Sequence, residues 1–249
     1  MSRPALVAVA HGSRDPAAAE VISALARQVR RLAPMLEVRV AFIGHAEPSL
    51  PDELGAAGPN AVIVPLLLSS GYHLSADIAD AATSAGALVA GPLGPDDLLL
   101  TVLTARLAEA GVPAGTPVVL AAAGSSDPAA AGQVRRQADL LAAELGGPVL
   151  GAFATGAEPT VPAAVAELRN RTGKPVAVAS YLLAPGHFQD QLRRSGADWI
   201  TEPLGSHPAL AGLVIDRYRR AATARQPARL ETAKAAPHLR LPSARGGEI

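Results

Sequence analysis

Cysteine is absent from the 249 residues of this chain. The absence excludes disulfide bonds, thiolate metal sites and a cysteine nucleophile. Any metal ion bound by side chains must therefore be held by histidine, aspartate or glutamate.

The sequence also lacks a charge imbalance and long apolar runs. The formal net charge is +0, so the chain as a whole has no basic character typical of nucleic-acid binding. No apolar run approaches the ~18 residues of a membrane-spanning helix, and the first run is too short for a signal peptide. We expect a soluble, cytoplasmic protein that binds neither nucleic acid nor membranes.

Motifs for nucleotide binding and serine hydrolysis are missing. The segment "HGSRDP" (11–16) is not followed by the Gly-Lys-Ser/Thr of a phosphate-binding loop. No Gly-x-Gly-x-x-Gly follows a predicted strand, and no Gly-x-Ser-x-Gly occurs. The sequence therefore gives no sign of these activities.

Apolar residues make up 49% of the chain and occur in short runs separated by helix-length segments such as 16–32 and 96–111. The runs occupy residues 5–10, 37–43, 61–68, 87–90, 117–123, 148–153, 175–183 and 198–204. Near-continuous apolar strands alternating with helices are typical of parallel sheets covered on both faces. The pattern predicts an α/β protein with two flavodoxin-like domains, each a four-stranded parallel sheet flanked by helices.

The two halves repeat each other in sequence. Three segments of the first half recur in the same order in the second, at offsets of 112, 111 and 115 residues. The pairs are "AHGSRDPAAAE" (10–20) with "AAGSSDPAAAG" (122–132), "AFIGHAEPSLP" (41–51) with "AFATGAEPTVP" (152–162), and "PLLLSSGYHLSAD" (65–77) with "SYLLAPGHFQDQL" (180–192). Matched segments in one order indicate internal duplication.

A Gly/Pro-rich link at 110–117 marks the boundary between the two units. We predict domains at 1–114 and 115–222, followed by a disordered tail at 223–249 that shows no apolar period. Pro65 lies within a predicted strand, where it indicates either a bulge or the end of regular pairing.

Three histidines, His11, His45 and His73, each follow the carboxyl end of a predicted strand of the first half. Ligands of open parallel sheets bind beyond those ends. If the first strand lies between the second and third, the three imidazoles span roughly 10 Å, given strands about 4.8 Å apart.

The second half serves as an internal control for these histidines. Its matching residues are Ala123, Gly156 and Phe188, although the surrounding "GSSDP" and "AEPT" frame is retained. The fold frame therefore does not require the three imidazoles. His187 lies one position from the match to His73 and stays open.

The remaining histidines are His207, which we expect at a helix start or on the surface, and His238 in the tail. We expect neither to take part in the site.

Histidines without cysteine or a carboxylate pair favour an open site for a divalent metal such as Zn²⁺, Fe²⁺, Co²⁺ or Ni²⁺, or for general-base chemistry. Four ligands for a closed structural zinc site cannot be found. His11, His45 and His73 are the predicted metal ligands, with His11 and His73 catalytic.

Several residues near these histidines have two possible roles. Ser13 and Asp15 either serve the site or cap the helix that begins at Pro16. Arg14 is either a surface residue or a rim group for carboxylates. Tyr72 is a candidate substrate contact, and Asp77 a candidate helix cap.

The segments "VAHGSRDP", "AFIGHAEPSLPD" and "VPLLLSSGYHLSADI" together resemble the sirohydrochlorin chelatases, class II chelatases related to CbiX and SirB. The resemblance covers roughly residues 4–220 and implies that His11 and His73 bind the metal or take protons. Those proteins often carry a glutamate where this chain has Gly44, and we hypothesise that His45 replaces it.

The resemblance implies insertion of Fe²⁺ or Co²⁺ into sirohydrochlorin, a carboxylate-rich tetrapyrrole, in a cleft between the two domains. The metal is a substrate, with no tightly bound cofactor, and a monomer is expected. The predicted substrate contacts are Ser13, Arg14 and Tyr72. Two alternatives are a non-catalytic metal or tetrapyrrole carrier on the same fold and a two-lobed periplasmic binding protein, against which the missing signal peptide argues.

Overall fold

The computed structural model describes residues 3–13, 15–44, 46–69, 72–125 and 127–224, with the backbone alone at 72–75. The first half consists of β1 (Leu6–Ala10), α1 (Pro16–Leu32), β2 (Val38–Phe42), α2 (Leu50–Ala57), β3 (Val62–Pro65), α3 (Tyr72–Ala85), β4 (Leu88–Val89) and α4 (Leu98–Glu109). The second half repeats this order with β5 (Val118–Ala122), α5 (Pro128–Leu145), β6 (Val149–Phe153), α6 (Val161–Thr172), β7 (Ala177–Tyr181), α7 (His187–Leu192), β8 (Trp199–Ile200) and α8 (Pro208–Ala224).

Each half contains a four-stranded parallel sheet. The strand orders are β2-β1-β3-β4 and β6-β5-β7-β8, so the prediction of an α/β protein with two parallel sheets is confirmed. The strand that leads to His11 lies between its two neighbours, as the expected clustering of the histidines requires.

The strand register confirms the alignment of the two halves. Val9 pairs with Pro65 in the first sheet, and Ala121 pairs with Ser180 in the second. The offsets are the 112 and 115 residues of the sequence repeat. The sequence predicted either a bulge or the end of regular pairing at Pro65. Pro65 is the last residue of β3, so the structure shows the end of the strand.

Helix α1 shows how the apolar spacing places a helix on its sheet. Ile22, Leu25 and Val29 recur at helical spacing and are all buried. They pack in the core cluster that contains alternate residues of β1. This packing holds the start of α1 close to the carboxyl end of β1, where the turn containing His11 lies.

The last helix of each half covers the sheet of the other half. Helix α4 packs on β7 and α5, whereas α8 packs on α1, β3 and β4. Arg217 of α8 donates to the carbonyl oxygens of Pro92 and Leu93 and pairs with Asp96 at 2.9 Å. This exchange of terminal helices ties the two halves into one body.

Helices in the described part of the chain are too short or too polar to cross a bilayer. Most of the predicted tail, residues 225–249 with His238, lies outside the described residues.

Candidate functional site

A cleft of about 540 Å³ lies between the carboxyl ends of the central strands of both halves. Its volume is within the range of small-molecule sites, ~300–1,000 Å³. The first half contributes Ala10, His11, Gly12, Ser13, Ala18, Ala19, Ile22, Phe42, Leu66, Leu67, Leu68 and Ser69. The second half contributes Ala122, Ala123, Gly124, Tyr181, Leu182, Leu183, Ala184, Pro185, Gly186, His187, Phe188 and Gln189.

His11 is exposed in the turn that leaves β1 and lines the cleft. The carbonyl of Ala10 still accepts a hydrogen bond from Ile43 N, and the chain then leaves the sheet at Gly12. The φ of Gly12 is +91°, a conformation that residues with a Cβ rarely adopt. The glycine thus allows the tight turn that places the imidazole beyond the carboxyl end of β1, at the cleft.

Ser13 and Asp15 form the start of α1. Ser13 Oγ accepts a hydrogen bond from Asp15 N at 3.1 Å, and Asp15 Oδ1 accepts one from Ala17 N at 2.9 Å. The capping interpretation of Asp15 is therefore confirmed. Ser13 supports the turn and also lines the cleft, so its role as a substrate contact stays a prediction.

The second half builds the same turn without an imidazole. Ser125 Oγ accepts from Asp127 N at 3.1 Å, and Asp127 Oδ1 accepts from Ala129 N at 2.8 Å. Ala123 occupies the position of His11. The hydrogen bonds of the turn therefore do not depend on the histidine.

The structure describes only some of the predicted site residues. His11 and Ser13 lie at the cleft, whereas Arg14 and His45 lie outside the described residues. For Tyr72 and His73 the backbone is described, and it forms the start of α3, beyond the carboxyl end of β3. Within the described part of the chain, no three histidine, aspartate or glutamate residues are grouped closely enough to hold a metal ion.

The structure also places Asp77, His207 and Glu158. Asp77 lies inside α3 (Tyr72–Ala85), so the prediction that it caps a helix is wrong. His207 Nδ1 accepts a hydrogen bond from Ala209 N at 3.1 Å, which confirms the expected position at a helix start. Glu158 Oε2 accepts from Thr160 N at 2.9 Å beside the N-cap of α6, a role within the fold.

The second half contributes one wall of the predicted cleft, but the residues of this wall were not identified from the sequence, which left the role of His187 open. His187 and Phe188 are exposed on this wall, and Gln189 is buried. The sequence signal was present, because "APGHFQ" (184–189) aligns with the loop that carries His73. The signal was weak because the imidazole is shifted by one position.

Tyr181 fixes the two walls relative to each other. Its hydroxyl donates to the carbonyl oxygen of Leu68 at 3.0 Å, and burial raises the pKa of the phenol well above its usual value. Gly94 lies against this contact, since a Cβ there would be 2.0 Å from the hydroxyl and 2.4 Å from the Leu68 carbonyl.

The described lining of the cleft is mostly apolar and contains neither arginine nor lysine. Its imidazoles are His11 from the first half and His187 from the second. A weakly polar cleft of this kind suits a ligand with a largely apolar body.

Comparison with known proteins gives matches along both halves. The CbiX family model matches residues 5–110 and again residues 117–221. The sirohydrochlorin ferrochelatase of Bacillus subtilis is 24% identical over 241 residues, covering 88% of this chain and 92% of that protein. The sirohydrochlorin cobaltochelatase of Methanosarcina acetivorans is 30% identical over 123 residues, covering 42% of this chain and 95% of that protein.

Solved structures show the same fold. SirB from Bacillus subtilis with Fe³⁺ superposes with a TM-score of 0.76 at 24% identity, covering 89% of this chain and 97% of that chain. The sirohydrochlorin chelatase SirB from Bacillus subtilis subspecies spizizenii in complex with cobalt gives a TM-score of 0.74 at 22% identity, with coverages of 90% and 97%.

Proposed function

This chain belongs to the CbiX family of class II chelatases, and from that premise we propose that it inserts Fe²⁺ or Co²⁺ into sirohydrochlorin. The observation that carries the proposal is the cleft between the halves, with the exposed His11 at the carboxyl end of β1. The relatives named as iron and cobalt chelatases support the same substrates.

We propose that His11 and His73 hold the incoming metal, with His45 as a third ligand. Neutral imidazole binds both Fe²⁺ and Co²⁺. A site with open coordination positions lets the metal exchange its water for the nitrogens of the macrocycle. The metal in this reaction is a substrate, so a ligand set that releases it serves the chemistry better than a closed site.

The apolar lining supports the binding of the macrocycle. Ile22, Phe42 and Leu68 from the first half and Leu183 and Phe188 from the second offer contact area for a flat tetrapyrrole. We propose that Ser13, Arg14 and Tyr72 contact its polar periphery. We also propose a monomer, since the exchanged helices α4 and α8 already join two such halves within one chain.

A spectroscopic assay tests this proposal directly. Purified protein is mixed with sirohydrochlorin and Fe²⁺, Co²⁺ or Ni²⁺ in parallel under anaerobic conditions, and the absorption spectrum is followed against samples without protein. We expect protein-dependent metallation with Fe²⁺ or Co²⁺. Binding of metal and macrocycle without an accelerated spectral change would instead identify a carrier and overturn the proposed activity.

A further inference from the structure

His187 is the imidazole of the second half that faces the cleft. It is exposed at the first residue of α7 and lines the wall opposite the turn of His11. A Cβ on the preceding Gly186 would lie 3.8 Å from Ser13 Oγ. The two walls therefore approach each other at this point, and both imidazoles belong to one cleft.

His187 does not cap the helix that it begins. The N-cap residue of α7 is Gly186, which has no side chain to cap the helix start. The register of β3 and β7 aligns His187 with Tyr72, so the repeated frame does not specify histidine at this position.

Neighbouring side chains nevertheless orient the ring. The amide nitrogen Nε2 of Gln191, one turn further along α7, lies 2.9 Å from His187 Nε2. The Phe188 ring makes an edge contact at 5.7 Å between centroids. Gln191 Oε1 is buried and has no partner among the described residues. With the amide in this orientation, Nε2 of the ring accepts from Gln191; with the amide reversed, Oε1 accepts from Nε2–H and the Nδ1 lone pair of a neutral imidazole is available.

Gln189 adds a second acceptor to the same wall. Its Nε2 donates to the carbonyl oxygen of Thr201 at 2.9 Å, which fixes the orientation of the amide. The Oε1 atom is buried, with no partner in the described part of the chain. A buried carbonyl oxygen without a donor is costly.

We propose that His187 is a further catalytic residue, which accepts the pyrrole protons that leave the macrocycle as the metal enters. This inference rests on the proposed function. Insertion of one divalent ion breaks two pyrrole N–H bonds, releases two protons and forms metal–nitrogen bonds with no change in oxidation state. His187 Nδ1 takes one proton at a time and passes it to water, because the ring is exposed at the cleft.

The proposed metal ligands and the proposed proton acceptor lie on different walls of the cleft. The proposed metal ligands come from the first half, and the proposed proton acceptor, His187, comes from the second. The incoming cation and the departing protons repel each other. If the metal enters from one face of the macrocycle and the protons leave from the other, this repulsion is smaller and the barrier to exchange is lower.

The test compares His187→Ala and His187→Gln with wild type in the sirohydrochlorin assay with Co²⁺. We expect kcat to fall about a hundredfold, within the usual range for loss of a general base. The Kd values for Co²⁺ alone and for sirohydrochlorin alone should change by less than about twofold. Added imidazole should restore part of the kcat of His187→Ala, with wild type at the same imidazole concentration as reference.

His207→Asn is the matched control, since Asn preserves a helix cap outside the cleft. Wild-type kcat in the His187 variants would overturn the inference, as would weaker sirohydrochlorin binding at unchanged kcat or a lack of imidazole rescue. A wild-type protein without metallation would instead refute the proposed function, so the two failures are distinguishable.

Discussion

The two halves of this protein share a frame but differ in how open the frame is at the cleft. In the second half, Thr155 N and Oγ1 both donate to the carbonyl oxygen of Ala123, at 3.0 and 3.2 Å, and close the loop onto the turn. The aligned residue of the first half is Gly44, and a Cβ there would meet no described atom within 4 Å.

This difference distinguishes residues that support the fold from residues proposed to act in the reaction. The Ser–x–Asp cap and the glycine turn occur in both halves, so they belong to the fold. His11 occurs in the half that has Gly44 at the position of Thr155. The second half retains the frame, closes the loop over Ala123 and contributes a wall with His187 and Phe188. Duplication has thus given one half the predicted metal ligands and the other half an opposing surface.

The largest expected effect on metal insertion comes from giving the turn after β1 the sequence of the turn after β5. His11→Ala converts "AHGS" to the "AAGS" of the second half. Because the turn keeps its hydrogen bonds without an imidazole, we expect an unfolding midpoint close to wild type. Metal insertion should fall at least about a hundredfold, since a proposed metal ligand is removed. Initial metallation rates and urea unfolding of the same preparations measure both.

Two further variants sharpen this result. His73→Phe introduces the residue of the second half at the second predicted ligand, and it should cause a comparable loss. Ala123→His places an imidazole in the closed turn, where we expect no gain in activity. Turnover of His11→Ala at the wild-type rate would remove His11 from the proposed site.

A smaller effect should appear when the two turn glycines are compared by stability. A Cβ on Gly124 would lie 1.7 Å from the carbonyl oxygen of Thr155, whereas on Gly12 the nearest atom would be Ala46 Cβ at 3.1 Å. Both residues have positive φ, so alanine costs about 1–2 kcal/mol at either position. The clash adds to this at Gly124, for a total of about 3 kcal/mol or more.

Urea unfolding of Gly12→Ala and Gly124→Ala measures the difference. An equal or greater loss of stability in Gly12→Ala would show that the first turn is packed as tightly as the second. The proposed openness of the first half would then have no basis.

The sequence predicted the architecture well because its signals are local. Apolar runs matched the eight strands of the described part of the chain, and the repeat identified equivalent positions such as His11 and Ala123. The exchange of α4 and α8 was not predicted, because an apolar helix face does not specify which of two similar sheets it covers. The resemblance predicted a cleft between the halves, but the residues that line its second wall, including His187 and Phe188, were not identified, because which residues face each other across a cleft is a tertiary property.

The smallest expected effect concerns a carboxylate that only the second half has. Asp198 Oδ2 accepts from Val176 N and from Arg169 Nη2, both at 2.8 Å. The Val176 N–H and the Arg169 guanidinium hold the pKa of Asp198 below its usual value. By the register of β4 and β8, the first half has Ala87 at this position.

Acid titration should therefore weaken the second half through Asp198. A carboxyl group with a lowered folded-state pKa stabilises the fold above its unfolded pKa, about 4, and this contribution disappears as the pH falls through the folded-state pKa. Asp198→Asn removes the charge, so its urea midpoint should lie below that of wild type at pH 7, and the gap should narrow by pH 3. The exposed position makes the effect small. A gap that stays constant between pH 7 and pH 3 would show that the ionised carboxylate of Asp198 contributes nothing to the stability of the second half.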